Sequence, residues 1–206
     1  MEPNWVDIAN FIVLTLTLFF IIWYVLATHK LAKAAELQNQ SFKKQNFETT
    51  FFQLLRFHNE IVGSVKIHQK GLVGRECFNG LYDKFRGAYS QEASYPSKQD
   101  LSFIDSVYVK FYENHQSDLS HYFRNLYSII SFVQGADVSN KKFYVDLIRA
   151  QLSTHEQLIL FYHCLSRYGK EKFMPLVVEL LKDMPVKLLA ESFHQQYYEQ
   201  LMVNQK

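Results

Sequence analysis

Between Ile8 and Thr28 the chain reads IANFIVLTLTLFFIIWYVLAT, 21 residues without a charge, a proline or a glycine. As a helix this stretch is ~31 Å long at about 1.5 Å per residue, which matches a hydrocarbon core of about 30 Å. Trp5 stands at one end, and Trp23 and Tyr24 stand near the other. Their rings favour the headgroup level, where an apolar body and a polar tip are both satisfied. The stretch is therefore read as one transmembrane helix. A cleaved signal peptide calls for a basic start, a shorter apolar core and a small-residue cleavage site. Here Glu2 and Asp7 precede a long core, and Leu26-Ala27-Thr28 lacks the cleavage pattern.

The flanking charges set a direction. No Lys or Arg occurs before Lys30, and Lys30, Lys33, Lys43 and Lys44 follow closely. The excess of positive charge belongs on the cytoplasmic side. The expected layout is a short external segment 1–7, the membrane helix 8–28, a basic helical stalk or linker 29–46, and a cytosolic domain 47–206. Past His29 there are 22 basic and 18 acidic residues, a net of +4. That suits anionic headgroups but is too weak to argue for nucleic acid. About 180 residues suffice for a single core, and the 18 Phe and 13 Tyr favour burial over disorder. Cys77 and Cys164 read as free, buried thiols on the cytoplasmic side.

Helical periodicity dominates the remainder. Phe47, Phe51, Leu54, Leu55, Ile61, Val62 and Val65 form one stripe, with His58 on it as a hydrogen-bonded core histidine or a functional one. Lys66–Gly74 reads as a loop. Cys77, Phe78, Leu81, Tyr82 and Phe85 mark a helix starting near Arg75, and Gly87–Asp100 reads as a loop. Ile104, Val107, Tyr108 and Phe111 make the next helix, broken at Asn114–Ser117. Ser117 or Asp118 then caps a helix bearing Leu119, Tyr122, Phe123, Leu126, Ile130 and Val133, stopped by Gly135. Tyr144, Leu147 and Ile148 start another. Ser153-Thr154-His155-Glu156 is a capping box, opening a helix that is apolar almost all round from Leu158 to Leu165 and ends at Gly169. This should be the central helix, with Leu158, Phe161 and Leu165 buried. Phe173, Leu176, Val177, Leu180 and Leu181 suggest a shorter helix around Pro175, and 186–206 a weakly specified one. No alternating strand is evident. The fold class is all-α: one N-terminal membrane helix followed by a cytosolic bundle of about six or seven helices.

Chemistry-bearing motifs are sparse. G-x-S-x-G, H-E-x-x-H and calcium-loop patterns are absent, and neither a metal nor a cofactor is expected. Gly71-x-x-Gly74-Arg75 could hold an anion at a helix start, or be a plain loop-to-helix junction. Arg149 and His155 form R-x5-H beside the cap. Small helical ribonucleases of the HEPN type carry such a pair, the histidine for acid–base work and the arginine for phosphate charge. Ala150, where those enzymes usually place a polar residue, departs from the pattern. The plainer reading is an arginine bonding helix ends and a glutamate cap.

Taken together, Phe51–Val62 (FFQLLRFHNEIV), GRECF (Gly74–Phe78), HYFRNLYSII (His121–Ile130) and LIRAQLSTHEQLILFYHCLS (Leu147–Ser166) resemble the AbiC-like phage abortive-infection family, over roughly residues 47–168. The resemblance implies bacterial defence, in which an infected cell stops growing or dies before phage matures, and an anchor in the bacterial inner membrane. Polar residues within these segments are the binding or functional candidates: His58, Asn59, Glu60, Arg75, Glu76, Arg124, Gln151 and Glu156, with Arg149 and His155 the catalytic candidates. A network among Arg75, Arg124, Arg149 and Glu156 could be structural or functional, since a buried charge needs a partner. The expected partners are the lipid bilayer, a phage-derived protein as trigger and further copies of the chain; nucleic acid is not expected. Three functions stay open: a membrane-anchored sensor or effector acting through interactions of its helical domain, a membrane-tethered ribonuclease, and a membrane scaffold unrelated to defence.

Overall fold

The computed structural model describes residues 4–67, 71–94, 100–173 and 177–203. The chain divides into two compact units, Met1–Thr49 and Thr50–Lys206. Helix α1 spans Trp5–Ser64 without interruption, so the stalk is helical rather than a flexible linker. From Trp5 to Phe42 the apolar side chains are exposed; Phe11 and Leu14 are each 68% accessible. The helix is long and apolar enough to cross a membrane, and none of its most apolar stretch is buried by protein. The threonine hydroxyls of its apolar stretch are satisfied within the helix: Thr15 Oγ1 donates to the Phe11 carbonyl at 3.0 Å, Thr17 to Val13 at 2.7 Å and Thr28 to Tyr24 at 2.7 Å. Such back-bonding removes the penalty of a free hydroxyl in an apolar surrounding.

Among its described residues the second unit is helical apart from one two-rung ladder. Strands β1 (Lys66–Ile67) and β2 (Leu72–Val73) pair antiparallel where a loop was expected. Gly71 and Gly74 take the left-handed conformation there, with φ of 63° and 68°, a region open to glycine at no steric cost. After the ladder come α2 (Glu76–Ala93), α3 (Leu101–Asn114), α4 (Gln116–Gly135), α5 (Lys141–Gln151), α6 (Thr154–Leu165), α7 (Lys170–Phe173) and α8 (Val178–Leu181). Two 3-10 turns, Val186–Leu188 and Ser192–His194, precede α9 (Gln195–Val203).

Helix α6 is the core of this unit. Every residue from Glu156 to Leu165 is buried, Leu158 and Phe161 completely. It packs against α2, α3, α7 and α8. Phe85 of α2 lies 4.4 Å from the Tyr162 ring, and Phe123 of α4 stacks on His163 at 3.7 Å. The helix stops at Leu165 rather than running to Gly169. Ser166 is extended there, and its hydroxyl donates to the His163 carbonyl at 2.7 Å. Gly169 is needed for a different reason: a Cβ at this position would overlap the His163 carbonyl oxygen.

Several boundaries differ from the sequence reading. Helix α2 continues through Gly87–Ala93 because Tyr89 is fully buried, against Phe103 and His194. Helix α4 starts at Gln116, before either expected cap, and no side chain caps it. Around the helix expected at Pro175 the described residues hold α7 before it and α8 after it; Met174, Pro175 and Leu176 lie outside the described residues. The C-terminal segment is two 3-10 turns and a helix rather than one helix. It is held by a buried polar chain that the sequence did not announce. The Ala190 amide donates to Tyr162 Oη at 2.8 Å. Tyr162 Oη in turn lies 2.8 Å from His194 Nδ1, and His194 Nε2 lies 3.0 Å from Tyr89 Oη.

Candidate functional site

The polar cluster of the second unit grows from the N-terminus of α6. The free N–H groups there need acceptors, and the capping box supplies them. Ser153 Oγ accepts from the Glu156 amide at 3.3 Å, and Glu156 Oε2 accepts from the Ser153 amide at 2.8 Å. This leaves the Glu156 carboxylate fully buried. A buried carboxylate needs a counter-charge, and Arg75, just ahead of α2, provides it with Nε 3.5 Å from Glu156 Oε2. The same guanidinium donates from Nη1 to the Gln151 carbonyl and from Nη2 to Asn59 Oδ1 at 3.2 Å. Asn59 Nδ2 closes the ring on Gln151 Oε1 at 3.3 Å. Arg75 therefore ties α1, the end of α5 and the start of α6 together. Its partners are protein acceptors, and the Gly71–Arg75 stretch leads from the β1–β2 ladder into α2.

Beside this ring His58 is buried, with Nδ1 donating to Asn125 Oδ1 at 3.1 Å. Burial, together with the Arg75 charge, lowers its pKa to about 4 despite the Asn125 bond, so it is neutral at pH 7. Tyr122 packs its ring 5.1 Å from His58. Burial and the neighbouring Glu156 carboxylate raise the Tyr122 phenol well above its ordinary range.

The sequence candidates separate into groups. Asn59, Arg75, Gln151 and Glu156 are brought together, with His58 adjacent. Arg149 turns elsewhere: Nη2 lies 3.1 Å from Asp146 and Nη1 3.8 Å from Asp183, which takes a left-handed φ of 66° after α8. His155 packs its ring 5.9 Å from Tyr82. Among the described residues no hydrogen bond or ion pair joins Arg149 to His155. Glu60 is exposed and pairs with Arg56 at 3.0 Å. Arg124 is exposed on α4, and Glu76 is exposed at the start of α2. The Arg–Glu network expected among Arg75, Arg124, Arg149 and Glu156 thus reduces to Arg75 and Glu156. Sequence reasoning missed Asn125 and Tyr122. Tyr122 was visible only as an apolar stripe residue, and Asn125 stood in HYFRNLYSII beside Arg124 but was not singled out.

Two surface grooves flank the cluster. One, of about 360 Å³, is lined by Phe57, Ile61, His121, Arg124, Asn125 and Ser128 among others. The second, of about 460 Å³, is lined by Leu72, Arg75, Glu76, Asn79, Ser153 and His155. Arg75 and Glu76 place opposite charges on the second groove. No group of three or more His, Cys, Asp or Glu side chains suited to a metal occurs among the described residues.

Residues 114–188 match the model of a family described as "Putative phage abortive infection protein". The match runs from α4 to the first 3-10 turn and contains Tyr122, Arg124, Asn125, Arg149, Gln151, His155 and Glu156. The resemblance noted in the sequence is thus shown over this segment; the segments Phe51–Val62 and Gly74–Phe78 lie outside it. Neither a curated protein nor a solved structure matches the chain.

Proposed function

We propose that this chain is a membrane-anchored bacterial anti-phage protein whose helical domain works as sensor or effector through interactions rather than catalysis. The family match across α4 to α8 carries the reading. The anchor is assigned to residues 8–28, with 1–7 outside and the stalk and domain in the cytoplasm. Exposed apolar side chains, internally bonded threonines and the lysine asymmetry support this placement. Confinement to a surface raises the effective concentration of copies toward one another and toward membrane components. That suits assembly when a phage-derived protein appears. The tethered ribonuclease gains no support from the geometry, because Arg149 is committed to Asp146 and Asp183 rather than set beside His155.

The test is plaque formation by a panel of phages on cells with and without the chain, with total RNA followed through infection. Reduced plaque counts with intact RNA are expected, and the same outcome for His155→Ala. Unreduced plating across a broad panel would refute a defence role. Loss of both protection and infection-induced RNA cleavage in a folded His155→Ala variant would replace this reading with the ribonuclease.

A further inference from the structure

His58 Nε2, Tyr122 Oη and Glu156 Oε1 have no hydrogen-bond partner among the described residues. Their residues are 1%, 0% and 0% accessible. They come from α1, α4 and α6, and Tyr122 neighbours each of the other two. The His58 and Tyr122 rings are 5.1 Å apart. The Tyr122 hydroxyl neighbours the Glu156 carboxylate, and the Arg75 charge acts on both His58 and Tyr122.

The donor count decides what fits. His58 Nδ1–H is committed to Asn125, which makes Nε2 an acceptor. Glu156 Oε1 belongs to a carboxylate paired with Arg75 and is a second acceptor. Tyr122 offers one proton for the two. We infer that one water molecule is bound among His58, Tyr122 and Glu156, donating to Nε2 and Oε1 and accepting from the Tyr122 hydroxyl. Water is the smallest group with two donors and an acceptor, and three partners is the usual number for a buried water. A cation would lie beside the Arg75 guanidinium and be repelled by it. The bound water completes a polar path from Asn125 through His58, Tyr122 and Glu156 to Arg75. It therefore joins the two surface grooves, one lined by Asn125 and the other by Arg75.

The test is a crystal structure of the full chain together with equilibrium unfolding of Tyr122→Phe in detergent. The expected structure has a water peak within about 3.2 Å of all three atoms. The variant, which leaves the water without its one protein donor, is expected to show a roughly tenfold higher unfolding constant. A structure in which Tyr122 Oη bonds Glu156 or His58 directly, with no peak between them, overturns the inference. So does a Tyr122→Phe variant as stable as the parent or more so. A folding constant that rises in 100 mM ammonium chloride, but not in equal sodium chloride, would assign the site to a cation and overturn it as well.

Discussion

Acid should unfold the helical domain steeply, because three of its histidines are buried in the neutral form. Burial lowers the pKa of His58 to about 4, with Arg75 adding to the effect; it lowers His163 to about 3 and His194 to about 4. Their ordinary value is about 6.5. Between pH 6.5 and 4 the unfolded chain therefore binds protons at these sites and the folded chain does not, so stability falls as pH falls. Each group costs about 1.4 kcal/mol per pH unit in that window, or about 2 kcal/mol at pH 5 relative to pH 7.5. The three together cost about 6 kcal/mol, against a usual domain stability of about 5–15 kcal/mol. Urea unfolding of the detergent-solubilised chain, followed by circular dichroism at pH 7.5, 6.5, 5.5 and 5.0, measures the slope. About 4 kcal/mol per pH unit is expected near pH 5.5. A slope below about 1.4 kcal/mol per unit, fewer than one proton, would show that these histidines are not held neutral and would refute the packing around α6.

Truncating Phe161 to Ala removes a fully buried ring from α6 and should cost about 3–5 kcal/mol; thermal and urea denaturation would show it. Gly169→Ala drives a methyl into the His163 backbone, with the His163 Cδ2 only 2.7 Å away. It should cost about 1–3 kcal/mol by the same assay, as overpacking does. Glu156→Ala removes the capping box and the buried partner of Arg75, for about 2–4 kcal/mol. Arg149→Ala breaks pairs with half-exposed Asp146 and exposed Asp183 and should cost about 1 kcal/mol or less; equal losses for these two variants would show that Glu156 is not the keystone of the cluster.

Local signals were strong where local physics decided the structure. The capping box at Ser153 and the unbroken apolar run from Leu158 fixed the start and the burial of α6, since a helix apolar on every side has no face to give to water. The stripe through Phe51, Leu55 and Val62 likewise placed one face of α1. The reading failed where distant packing ruled. Gly87–Ala93 looks like a loop, yet it stays helical because Tyr89 meets His194, 105 residues on. The site shows the same division. Asn59, Arg75, Gln151 and Glu156 stood out as polar residues in otherwise apolar segments. Arg149 and His155 are close in sequence, but spacing along the chain could not reveal that Arg149 would turn to Asp183. Nor could it show that the hydroxyl of Tyr122, indistinguishable from its apolar neighbours on the stripe, lies against His58 and Glu156.

The most direct measurement is phage plating efficiency on cells that express either the full chain or residues 29–206 at matched levels, with membrane and soluble fractions checked for each. The account predicts that the full chain is found in the membrane fraction and lowers plating, whereas residues 29–206 stay folded in the soluble fraction and protect no better than an empty vector. Full protection by the folded, soluble 29–206 fragment would contradict the claim that this protein acts from the membrane.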